Sequence, residues 1–96
     1  MSTDFTSVRN QNEQAIFDAV LLHAARYPGL SHCPELLADV ACVALNRLPS
    51  RYIRHEVDFM FYLSARERGE NERLLIDAVE YAFGFVQART AMRARA

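Results

Sequence analysis

The 96 residues predict a small, mainly α domain of three helices with one short extended segment, and three observations lead there. Apolar residues recur at helical spacing in three separate stretches. Each stretch is bounded by proline, by proline and glycine, or by a capping pattern. One run, at about residues 53–63, alternates with period two instead, which is the spacing of a strand.

The first helical stretch is NQNEQAIFDAVLLHAARYPG. Asn10 is placed to cap it and Glu13, three residues on, to complete a capping box. Ile16, Ala19, Val20, His23, Ala24 and Tyr27 then share one face, and Pro28-Gly29 ends the helix. His23 reads as a hydrogen-bonded core histidine. Residues 1–9 carry no such periodicity and are expected to be disordered.

The second stretch is CPELLADVACVALNRL. Pro34 suits a first helical position, and Glu35 sits near the positive end of the helix dipole. Leu37, Val40, Ala41, Ala44, Leu45 and Leu48 form the buried stripe, and Pro49 stops the helix. Ala41 and Ala44 are small enough for another backbone to come close, which makes this the expected central element.

In the alternating run, Ile53, Val57, Phe59, Phe61 and Leu63 interleave with Arg54, Asp58, Met60 and Tyr62. A lone strand cannot satisfy its own backbone groups, and the chain offers no second convincing strand. The simplest partner is the same strand of a second subunit, so a homodimer through this segment is expected. Ser64-Ala65-Arg66-Glu67 is a further capping box. It opens the longest helix, carried by Leu75, Ala78, Val79, Ala82, Phe85 and Val86 to about Ala91, with residues 92–96 frayed. Gly69 and Gly84 weaken it, and Gly84 reads equally as a place where another helix could cross closely or as a mild destabilisation of the helix.

Length and composition bound the rest. The 11.0 kDa chain fits one domain spanning residues 1–96. A compact fold of that mass exposes about 5,600 Å². With 51% hydrophobic residues, including six Phe and four Tyr, some apolar surface is expected to be left for self-association. Net charge is −1, so the whole molecule is not steered towards DNA, RNA or an acidic membrane, and any anion site must be local. All eleven basic residues are arginine, whose planar forks suit phosphate and guanine, although a GC-rich genome gives the same composition. Cys33 and Cys42 read as free thiols, and with no targeting or membrane-spanning stretch the chain is expected in the cytoplasm.

No phosphate-binding Gly-rich loop, H-E-x-x-H or nucleophile elbow is present, so no catalytic residue is assigned and an enzyme is not expected. His32, Cys33, Cys42 and His55 lack the paired spacing of a zinc site, and no metal or cofactor is expected. The turn ALNRLPSRYIRHE differs in kind. Asn46 and Arg47 close the second helix, Pro49 fixes the backbone, and Arg51, Tyr52 and Arg54 follow. Guanidinium forks and an aromatic face at that density can pair phosphates and stack a base. The plainer reading puts Arg47 at the negative helix end, Tyr52 in the core and the other arginines in solvent. By physics alone the plainer reading is favoured.

The stretch DVACVALNRLPSRY, Asp39 to Tyr52, resembles the signature D-V-x-A-L-A-L-N-x-L-P-P-x-Y of the late-competence ComFB family. NQNE at Asn10 to Glu13 is similar to the N-x-x-E that opens that family's first helix, so the likeness covers most of residues 9–90. Ser50 replaces the second proline, and Cys42 stands where a small residue such as alanine is usual. Some members carry a zinc-binding cysteine cluster before the signature. Cys33 alone stands there in this chain, so zinc is not implied.

The resemblance implies a receptor for cyclic di-GMP that signals through an unidentified protein partner. It implies Arg47, Arg51 and Arg54 against phosphate or guanine, Tyr52 stacking, Asn46 at the turn or a base edge, and Asn10 or Glu13 closing the site. The alternative is a ligand-free protein–protein interaction module in a competence, motility or DNA-uptake system.

Overall fold

A computed structural model describes residues 3–55 and 63–95. Its elements in chain order are β1 (Arg9–Asn10), α1 (Asn12–His23), a 3₁₀ turn (Ala24–Arg26), α2 (Pro34–Arg47), β2 (Tyr52–Ile53) and α3 (Ala65–Arg95). The domain is mainly α, as the sequence predicts. Pro34 opens α2 at its first position, and α2 packs against both other helices, which makes it the central element.

The core is a single cluster. Ile16, Val20 and Ala24 enter it from α1 and its 3₁₀ extension, and Val40, Ala41 and Ala44 enter from α2. α3 contributes Ala78, Val79, Ala82, Phe83 and Val86. Leu30, in the connection between α1 and α2, is only 2% exposed and closes one end. Tyr27 lies flat on Phe83, with ring centroids 4.3 Å apart and planes 3° apart. The core face of α3 therefore runs through Phe83 and not through Phe85, which is 44% exposed. The reason is phase. At 3.6 residues per turn Phe83 sits about 40° from Val79 around the helix, whereas Phe85 sits about 120° away. His23, expected in the core, is half-buried, and no polar side chain among the described residues is fully buried.

The first helix begins later and ends earlier than its periodicity suggests. It starts at Asn12, and from Ala24 it tightens into the 3₁₀ turn that carries the chain to Tyr27. Asn10 does not form the expected capping box with Glu13. Its side-chain oxygen accepts the Asn12 N–H at 3.1 Å and the Arg51 N–H at 3.2 Å. One short acceptor thus joins the start of α1 to the turn after α2, 41 residues away in sequence.

That junction corrects the expectation of an unpaired strand. Arg9–Asn10 pairs antiparallel with Tyr52–Ile53, Arg9 facing Ile53 and Asn10 facing Tyr52. The Gln11 N–H extends the ladder to the Arg51 carbonyl at 2.6 Å, and the Asn12 amide donates to the Pro49 carbonyl at 2.9 Å. The chain therefore pairs its own extended segment where it begins, with Arg9 taking part in the ladder. Residues 56–62, which hold most of the alternating run, lie outside the described residues, so the expected dimer strand falls largely there.

Asn10→Ala is expected to lower stability by about 1–2 kcal/mol, because two part-buried N–H groups lose their acceptor together. Thermal denaturation reads that loss, and faster amide exchange at Asn12 and Arg51 localises it. A variant that melts with the native protein would remove the junction from the fold's determinants.

The capping box of α3 forms as predicted: the Glu67 N–H donates to the Ser64 hydroxyl at 3.1 Å, and the Ser64 N–H to the Glu67 carboxylate at 3.4 Å. The helix then runs on to Arg95, beyond the end expected near Ala91. Gly84 is exposed and a Cβ there would meet nothing within 4 Å, so among the described residues no helix crosses closely at that point.

Candidate functional site

The residues of the predicted turn fall into two neighbouring groups. The first is the junction just described. Asn10 spends its side-chain oxygen on two backbone N–H groups, which makes it a brace for the turn. Arg51 is half-buried there, while Tyr52 is 68% exposed on the outer side of the short ladder. The plainer reading of Tyr52 as a core residue does not hold. Arg54 is exposed and lies 3.3 Å from the His55 ring nitrogen. Glu13 is exposed in the first turn of α1, and among the described residues no hydrogen bond joins it to Asn10.

The second group lies at the end of α2. Asn46 donates its amide to the Cys42 carbonyl at 2.9 Å, which leaves its side-chain oxygen facing outward as an acceptor. Arg47 places its guanidinium 3.7 Å from the centroid of the Tyr81 ring on α3. Tyr81 in turn stacks with Phe85, at 6.1 Å between centroids and 23° between planes. The Arg89 guanidinium lies 5.6 Å over Phe85 and donates to the Asp39 carboxylate at 3.1 Å. Two stacked rings flanked by two guanidinium groups therefore tie the C-terminal end and the middle of α2 to α3.

This column decides what Arg47 can do. A guanidinium over a ring face is attracted to it by the ring quadrupole. Tyr81 covers one side of the Arg47 guanidinium, and Arg47 as a residue stays exposed. That arrangement is a preset platform for a planar base and a fork for a phosphate. Arg47 and Arg51 are four residues apart, so their Cα atoms lie within about 15 Å of each other. The two groups are close enough to serve one ligand of dinucleotide size.

Sequence reasoning missed Tyr81, Phe85 and Arg89. Their i, i+4, i+8 spacing was readable as one face of a helix, but nothing local says that Arg47, 34 residues earlier, lies over that face. Cys33 and Cys42 are free thiols, and among the described residues no three His, Cys, Asp or Glu side chains are grouped as metal ligands. Among those residues, too, no helix is long and apolar enough to cross a membrane.

The late competence development protein ComFB family matches the chain over residues 9–90. The chain belongs to the ComFB family. The match includes both halves of the site, from Arg9 in β1 to Arg89 in α3, and so covers the junction and the column together. Family membership relates the chain to small competence-related proteins. No curated protein and no solved structure matches it.

Proposed function

We propose that this ComFB-family protein is a cyclic di-GMP receptor that works in the cytoplasm, signals through a protein partner and catalyses nothing itself. The observation that carries the reading is Arg47, exposed and 3.7 Å over the centroid of the Tyr81 ring at the end of α2, within the family match. A guanine stacks on the Arg47 guanidinium, and the neighbouring Asn46 oxygen accepts from a guanine N–H. Arg51 and Arg54 take the phosphates, and the exposed Tyr52 ring offers a second stacking surface. Glu13 supplies a further acceptor for guanine N–H groups at the start of α1. Asn10 acts indirectly, by fixing the turn that presents Arg51 and Tyr52.

The rival reading, a ligand-free interaction module, would be favoured by arginines of the turn saturated by the fold's own carboxylates. Among the described residues Arg47 instead meets a ring and Arg54 meets His55.

Isothermal titration calorimetry of the purified protein in low salt is expected to give saturable heat with cyclic di-GMP at tens of micromolar or below, and none with GMP or ATP at the same concentration. Absence of heat with cyclic di-GMP would sink the proposal.

A further inference from the structure

One residue on the core stripe of α3 is out of keeping with its neighbours. Asn71 lies one turn before Leu75 and within about 20° of the buried Ala78 around the helix, a position where an apolar side chain is expected. Asparagine is a poor helix former, and burying its amide costs free energy unless the amide is hydrogen-bonded. The Asn71 Nδ2 atom is shielded from solvent and, among the described residues, donates to nothing. The other such atom, Arg89 Nε, belongs to a guanidinium that already donates to Asp39. Asn71 makes no side-chain hydrogen bond of any kind among those residues.

Beside Asn71 lies a small cavity of about 20 Å³, walled by Asn12, Leu48, Pro49, Arg51, Asn71 and Leu74. Asn12, Pro49 and Arg51 belong to the junction that Asn10 braces, and Asn71 and Leu74 to the first half of α3. The cavity therefore sits where the junction meets the long helix. Asn12 spends its NH2 group on the Pro49 carbonyl and keeps its side-chain oxygen as an unspent acceptor. One wall thus holds a residue with an unspent donor, and the other a residue with an unspent acceptor.

Size and chemistry select the occupant. A single water needs about 10–15 Å³ of such space and two to four polar partners, and a phosphate or a nucleotide does not fit there. The Asn12 oxygen disfavours an anion, and the N–H groups of Asn71 and the positive charge of Arg51 disfavour a cation. Water alone both accepts and donates.

We propose that one water molecule is bound between Asn71 and Asn12, accepting from the Asn71 amide and donating to the Asn12 side-chain oxygen. A bridging water is nearly as good as a direct hydrogen bond, so it gives α3 a polar tie to the junction. It also accounts for an asparagine on an apolar stripe, because a leucine there could not hold the water. The site belongs to the fold itself and does not depend on any further ligand.

A high-resolution crystal structure of the full chain tests the site directly. One water is expected within about 2.7–3.2 Å of both side chains. A dry cavity, or one filled by a protein side chain, would overturn the proposal, as would an anomalous bromide signal there after a bromide soak, the mark of a halide site. Asn71→Leu, which nearly keeps the shape, tests the tie in solution. The Arg51 N–H donates to Asn10 inside the junction, so its exchange with solvent deuterium reports the junction's stability. The variant is expected to speed that exchange about fivefold, as the loss of one ordinary hydrogen bond does, while Val79 in the core exchanges at its native rate. An unchanged rate at Arg51, or an equal increase at Val79, would overturn the tie between α3 and the junction.

Discussion

Phe83→Ala is expected to lower the melting temperature by at least about 12 °C, the largest stability effect of any single truncation in this chain. Phe83 is fully buried and carries the flat Tyr27 ring on one side. Its removal deletes both the burial of a large side chain and the stacking partner, and leaves a cavity between α1, α2 and α3. Phenylalanine-to-alanine changes in cores cost about 3–5 kcal/mol. A domain of this size holds about 5–14 kcal/mol in all, and each kilocalorie moves the midpoint by about 4–8 °C. Phe85→Ala is the internal control: Phe85 is 44% exposed, and its loss should move the midpoint by a fraction of that amount. Thermal unfolding followed by circular dichroism separates the two. Equal shifts would contradict the core assignment of α3.

Arg47→Ala is expected to weaken cyclic di-GMP binding by about tenfold or more, within the 1–3 kcal/mol that stacking one base is worth. Arg47→Lys should fail to restore it, because an ammonium has no planar face to stack on and no fork to offer. Tyr81→Leu, which keeps an apolar side chain but removes the ring beneath the guanidinium, should weaken binding by part of that amount, and Tyr81→Phe should keep it. Calorimetric titrations of the four variants give the comparison. If Lys serves at position 47 as well as Arg, the site uses charge alone and the stacking geometry is irrelevant to it. If Tyr81→Leu binds as the native protein does, Tyr81 has no part in positioning Arg47.

Local chemistry made a large part of this visible in the sequence. Pro34 and Pro49 bracket α2 because a proline is tolerated in a first turn and nowhere further in. The Ser64 and Glu67 pair marks the start of α3 because both partners of a capping box lie within four residues. The family motif runs from α2 into the turn, so the place proposed for the site was read from the sequence as well. Less legible were features in which two local readings compete. Asn10 could equally cap a helix or brace a turn, and the choice depends on Arg51 being brought beside it. Either Phe83 or Phe85 could enter the core, and only the phase set by Val79 against α2 selects Phe83.

The sequence by itself therefore determined the helices, their main boundaries, the mainly α class and the arginine-rich turn, since spacing and caps act over a few residues. Only the tertiary structure decided that β1 pairs with β2, that Arg47 lies on Tyr81, and that Asn71 shares a small cavity with Asn12 and Arg51. The strand pair and the Arg47–Tyr81 contact join residues 34 to 44 positions apart, which chain folding brings together and no local pattern encodes.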